Sequence, residues 1–137
     1  MSLDELKKQF IVSEDTLKER LEAVVAKALK RCRIDESGQV LIMDSNLPGK
    51  DQVKLTLAAR ALAAQLDVQI AAEVTVLEIS KYTGLPANQV RARGKDAIRD
   101  KFAESPAAGV YRAIPKKIEA FLDSIPELRS RTDGGKK

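Results

Sequence analysis

At 137 residues with 44% apolar side chains, the chain has the size of one domain and enough apolar material for a real core. A single cysteine and the absence of histidine exclude an internal disulfide framework, zinc sites built from Cys and His, and Ser–His or Cys–His nucleophile pairs. The net charge of +4 is mildly basic, and no run approaches the roughly 18 apolar residues of a membrane span.

In chain order, residues 1–12 read as a polar, flexible lead-in. The opening MSLDELKKQF is charged and has no signal-peptide apolar core, so a soluble, cytoplasmic protein is expected. A first helix is predicted from Ser13 or Asp15 to about Arg31. Leu17, Leu21, Val24, Val25, Ala28 and Leu29 recur at three- and four-residue spacing and make one apolar face. Acidic residues open it, and Lys30, Arg31 and Arg33 close it, as the helix dipole prefers. Asp35-Glu36-Ser37-Gly38 reads as a turn and Gln39–Met43 as a short strand.

A second helix is predicted from about Lys50 to Leu66. Its apolar residues run round much of the circumference, which marks the buried central helix. Residues 67–74 form a linker with room for a short strand. Thr75 and Glu78 then make a T-x-x-E capping box that starts a short helix, about Val76 to Tyr82. Thr83-Gly84-Leu85 is a turn. Pro86 suits the first turn of the next helix, which runs to about Asp100. Phe102–Glu104 and Val110–Ile114 read as strands joined by the turn Ser105–Gly109. After Pro115 comes a last helix with Ile118, Phe121, Leu122 and Ile125 on one face, and residues 128–137 read as a disordered tail.

Charge is unevenly spread. Residues 1–73 hold 11 basic and 12 acidic side chains, whereas residues 74–120 hold 9 and 5. The excess falls on the helix after Gly84. With Val90 facing inward, Gly94 and Ala97 share its face at about 100° per residue. Asn88, Arg91, Lys95 and Arg99 then line one outward stripe of about 80°, with small Ala92 beside them. Arg93 falls on another flank, facing either the preceding helix or an acidic partner.

The order of helix, short helix, Gly turn, helix and β-hairpin resembles the winged helix-turn-helix family. Ile79, Gly84, Leu85, Val90 and the segment GVYRAI carry the resemblance, over about residues 50–114. The sequence departs from the family where Ser80 replaces the usual Ala, where Gly94 interrupts the second helix of the motif, and at a wing tip without Lys or Arg. One turn after Val90, Gly94 is expected to admit a close approach by another helix. The resemblance implies a mainly α fold with a small β-hairpin wing, preceded by an N-terminal helix and strand. The implied division is an extension at 1–48, a winged domain at 49–127 and the tail.

It also implies sequence-specific binding of double-stranded DNA by a transcriptional regulator, with helix 86–100 in the major groove. Asn88, Gln89, Arg91 and Ala92 are then the base contacts, since amides pair with adenine and Arg with guanine. Lys81, Tyr82, Lys95, Arg99, Arg112, Lys116 and Lys117 are the phosphate contacts. Spare apolar stripes on the first and last helices point to a homodimer through one of them. The alternative is a winged module that docks an acidic protein surface within a larger complex. With no Walker A loop and no Rossmann fingerprint, an enzyme is not expected, nor a cofactor, a metal or a small-molecule ligand.

Overall fold

The computed structural model describes residues 2–11, 14–43 and 46–125. The chain is mixed α/β: six α-helices, one short 3-10 turn and two small antiparallel sheets among the described residues. The helices are α1 (Leu3–Phe10), α2 (Glu14–Leu29), α3 (Gly49–Leu66), α4 (Val76–Thr83), α5 (Ala87–Arg99) and α6 (Ile118–Ser124). The strands are β1 (Cys32–Ile34), β2 (Val40–Ile42), β3 (Val74–Thr75), β4 (Ala103–Ala107) and β5 (Val110–Ala113).

α3 is the central helix, as its apolar circumference predicts. Val53, Leu55, Leu57 and Ala58 are fully buried, and α4, α5, β5 and the β1–β2 hairpin all pack on it. Burying each such aliphatic side chain contributes about 1.5–3 kcal/mol. α2 packs mainly on α6, where Lys27 pairs with Glu119 at 2.8 Å and Asp123 at 2.9 Å. Phe102 meets Phe121 edge to face at 5.1 Å, which ties α6 to the start of β4. Ala28, Cys32 and Val40 join the same buried cluster as α3 and α6, so residues 18–43 share the core of the rest.

Several sequence expectations shift. The lead-in contains a helix, α1, begun by a capping box between Ser2 and Glu5. No residue of it is buried, so its apolar side chains stand uncovered. Cys32–Ile34 is a strand that sequence reading missed. It pairs Cys32 with Ile42 and Ile34 with Val40 across the expected turn, where Gly38 takes φ 91°. Two- and three-residue strands carry too little alternation to be read from pattern alone. Pro86 is the cap before α5 rather than its first residue. Residues 105–107 lie in β4, and the turn contracts to Ala108-Gly109, because β4 pairs with β5 through a bulge between Glu104 and Ala107. The expected tail lies outside the described residues.

β3 pairs with β5 and β5 with β4, giving the order β3-β5-β4. This sheet meets α4 through β3 and α5 through β4.

Candidate nucleic-acid interface

The candidate interface is built on the α4–turn–α5 unit. The capping box forms as the sequence predicts: Glu78 N–H donates to Thr75 Oγ1 at 3.1 Å and Thr75 N–H to Glu78 Oε1 at 3.0 Å. The other oxygen of Glu78 accepts from Arg60 at 3.2 Å. Burial pushes Glu78 upward, but the Thr75 N–H and the Arg60 guanidinium together outweigh it and hold its carboxyl below the ordinary value.

Arg60 is the main residue that sequence reading missed. It lies in α3 among apolar neighbours and is itself buried. Besides Glu78 it donates to the carbonyls of Gly38, Ala71 and Glu73. One guanidinium thus fixes the β1–β2 turn, the 67–73 linker and the start of α4, which a rigid five-donor fork can do and a lysine cannot. The available signal was an arginine inside an otherwise apolar helix, which needs such partners to be buried at all.

α4 ends on Gly84 at φ 79°, whose N–H donates to the Ser80 carbonyl at 2.8 Å. Nothing lies within 4 Å of an added Cβ there, so the requirement for glycine is one of backbone conformation. Ser80 donates from Oγ to the Leu85 carbonyl at 2.6 Å, and Thr83 Oγ1 accepts from Leu85 N–H at 3.1 Å. Ser80 therefore helps to fix the angle at which α5 leaves.

α5 buries Val90, Gly94 and Ala97, the three residues the helical angles turned inward. Gly94 faces β5: a Cβ there would stand 2.7 Å from Tyr111 Cζ. The close approach is made by the side chain of a strand tyrosine and not by a helix.

Asn88, Gln89, Arg91, Ala92, Lys95 and Arg99 are all exposed. The first turn of α5 holds no acidic side chain. Asn88 Oδ1 accepts from Gln89 N–H at 2.9 Å, and Asp96 takes both Arg93 (3.2 Å) and Arg99 (3.0 Å). Arg93 thus finds its acidic partner on its own helix. Arg91 and Lys95 make no ion pair with a described residue; Arg91 lies in the half of α5 nearest the turn and Lys95 one turn further on.

The expected phosphate contacts divide. Lys81 is exposed at the end of α4, beside the turn. Tyr82 is half-buried, and its hydroxyl donates to Glu78 at 3.3 Å. Arg112 is held between Glu73 (2.8 Å) and Glu104 (2.7 Å), and these carboxylates hold its guanidinium protonated still more firmly. It already has two anionic partners, which sequence reading could not see. Lys116 and Lys117 are exposed in the 3-10 turn Pro115–Lys117, which packs on α6 and α3 rather than on α5. The hairpin tip is also drawn in: the Gly109 carbonyl accepts from Val76 N–H at 3.0 Å.

Comparison of the chain with protein-family models, with curated proteins and with solved structures returns no match. The reading of this face therefore stands on its own residues. No helix among the described residues is long and apolar enough to cross a membrane.

Proposed function

We propose that the chain is a winged helix-turn-helix protein that binds double-stranded DNA sequence-specifically, as a transcriptional regulator and a homodimer, without catalysing a reaction. The observation that carries this reading is the outward face of α5. Its first two turns present Asn88, Gln89 and Arg91, with no carboxylate among them, on a helix anchored behind by Val90, Gly94 and Ala97. A helix of this kind fits the major groove, and amides beside an arginine suit adenine and guanine edges. Lys81 and Lys95 flank that face as phosphate ligands. Arg99 and Arg112 are secondary in this reading, since each is already paired.

A second reading, docking on an acidic protein surface, draws on the inward-drawn hairpin tip and the occupied Arg112, which leave the wing without a cation for the DNA backbone. Base readout has a use for Asn88 and Gln89, whereas a purely electrostatic patch has none, and this favours DNA.

The test is binding to random-sequence duplex across a salt series, followed by selection of the bound sequences. Lys81 and Lys95 contribute about −1.8 per chain to the slope of log K on log salt. An enriched motif supports base readout. Salt-sensitive binding without a motif leaves only non-specific DNA binding, and no binding at low salt refutes the DNA reading in favour of the acidic protein partner.

A further inference from the structure

α5 ends in a Schellman motif. Phe102 N–H donates to the Ala97 carbonyl at 2.9 Å, and Lys101 N–H to the Ile98 carbonyl at 3.0 Å. The motif puts Lys101 in the left-handed region, at φ 63°. Glycine is the usual residue there, because a Cβ is disfavoured. The other described residues with positive φ are Gly38, Gly84 and Gly109, so Lys101 is the exception within its own chain. It is exposed, and its side chain makes no hydrogen bond or ion pair with a described residue. A side chain that strains the fold and bonds to none of it points to something outside the fold.

Two more lysines lie beside it. The β4–β5 register pairs Ala103 with Ala113, and one step further Ile114 N–H donates to the Phe102 carbonyl at 2.8 Å. The next step sets Lys101 beside Pro115, which opens the turn that carries Lys116 and Lys117. Both are exposed, as Lys101 is. The carboxylates of the surrounding elements are already taken: Asp96 by Arg93 and Arg99, Asp100 by Lys54, Glu104 by Arg112, and Glu119 and Asp123 by Lys27. The base of the hairpin, unlike its tip, therefore presents three cations with no anionic partner among the described residues.

This base lies where α5 would leave the DNA. The 13 residues of α5 span about 20 Å, whereas the major groove is about 12 Å wide. Laid across the groove with Asn88, Gln89 and Arg91 at the bases, the helix overruns the groove's edge at its other end. Lys95 and Arg99, about 40° apart, carry the exposed stripe in that direction, and Lys101 stands just past its end. Lysine is a point-charge donor suited to phosphate.

We propose that Lys101, Lys116 and Lys117 form a second backbone-binding surface, at the end of α5 away from the turn, which holds the phosphates flanking the major groove. The proposal rests on the DNA reading of α5 and extends it to the base of the hairpin.

The experiment compares the native chain with the triple variant Lys101→Gly, Lys116→Gln, Lys117→Gln. Duplex binding is measured between about 50 and 200 mM salt, on the selected sequence and on a random duplex of equal length. Each phosphate contact contributes about 0.9 to the salt slope, so the variant's slope should be shallower by about 2.7 and the native chain's advantage should shrink about 40-fold across that range. The loss should be alike on both duplexes. A control triple, Lys7→Gln, Lys18→Gln, Arg20→Gln, removes the same charge from exposed positions on α1 and α2 and should keep the native slope. Lys101→Gly alone should match or exceed the native Tm yet flatten the slope by about 0.9, because it relieves the fold and removes a contact. A role confined to the fold would leave binding unchanged. If the native chain binds duplex and the triple variant keeps its slope, the proposal is overturned and the DNA reading stands. Equal flattening by the control, or a loss confined to the selected sequence, would also overturn it. A native chain that binds no duplex at low salt would refute the DNA reading, and this surface with it.

Discussion

Gly94→Ala is the most direct test of how α5 is seated. Helix propensity alone favours alanine by about 1 kcal/mol at an open helical position. The position is not open. The new methyl would lie 2.7 Å from Tyr111 Cζ and 2.9 Å from Cε1, where carbon atoms prefer about 3.5–4.0 Å. Tyr111 is only 6% exposed, so its ring cannot swing into solvent. Overpacking of this kind costs about 1–3 kcal/mol, which exceeds the propensity gain in most of that range. The expected net effect is a loss of about 1 kcal/mol, or roughly 4 °C in Tm for a domain of this size. Urea unfolding followed by circular dichroism should show a lower midpoint at unchanged m. Repeating the substitution in a Tyr111→Leu background removes the ring, and alanine should there become stabilising by about 1 kcal/mol. If Gly94→Ala stabilises the native chain, or acts alike in both backgrounds, the packing argument is wrong.

On the DNA reading, Arg91→Ala should weaken binding by about 1–3 kcal/mol and relax preference at one base position. Unchanged preference in a selection experiment would remove Arg91 from the base contacts. Lys95→Ala should weaken all sequences alike and flatten the salt slope by about 0.9; a sequence-dependent loss would contradict its placement on phosphate. Glu78 is held below its ordinary 4.5 in the folded chain by the Thr75 N–H and Arg60, against burial. It therefore contributes stability that is fully present above 4.5 and is lost as pH falls through the lower folded value. Glu78→Gln should flatten the acid limb of a stability–pH curve below about pH 4.5, and an unaltered limb would discount the Arg60 pair. Burial raises the Cys32 thiol to about 11, so it should resist alkylation at pH 8 and react only on unfolding. Prompt labelling of the folded protein would show that the region opens readily.

The candidate site was legible where its causes are local. The capping box of Thr75 and Glu78 is a matter of two residues three apart, and it forms as written. The inward turn of Val90, Gly94 and Ala97 follows from helical periodicity, as does the exposure of Asn88, Gln89, Arg91 and Lys95. The positive φ at Gly84 was likewise signalled by a glycine between two helical segments. α1 carries the same kind of local signal: Ser2 and Glu5 spell a second capping box, three residues apart.

The free charges were not legible. Lys and Arg look alike along a sequence, and only the fold decides which of them meet a carboxylate. Arg112 lies 39 residues from Glu73 and is brought to it by the pairing of β3 with β5. Arg60 binds groups 11 to 22 residues away, and a buried cation is tolerable only because all of them converge on it. The sequence by itself determined the helices, their apolar faces and the turn before α5, since these rest on contacts within a few residues. The tertiary structure alone decided which cations remain exposed, what lies beneath Gly94 and where an apolar surface is left without cover, because each of those is set by the approach of segments distant in the chain.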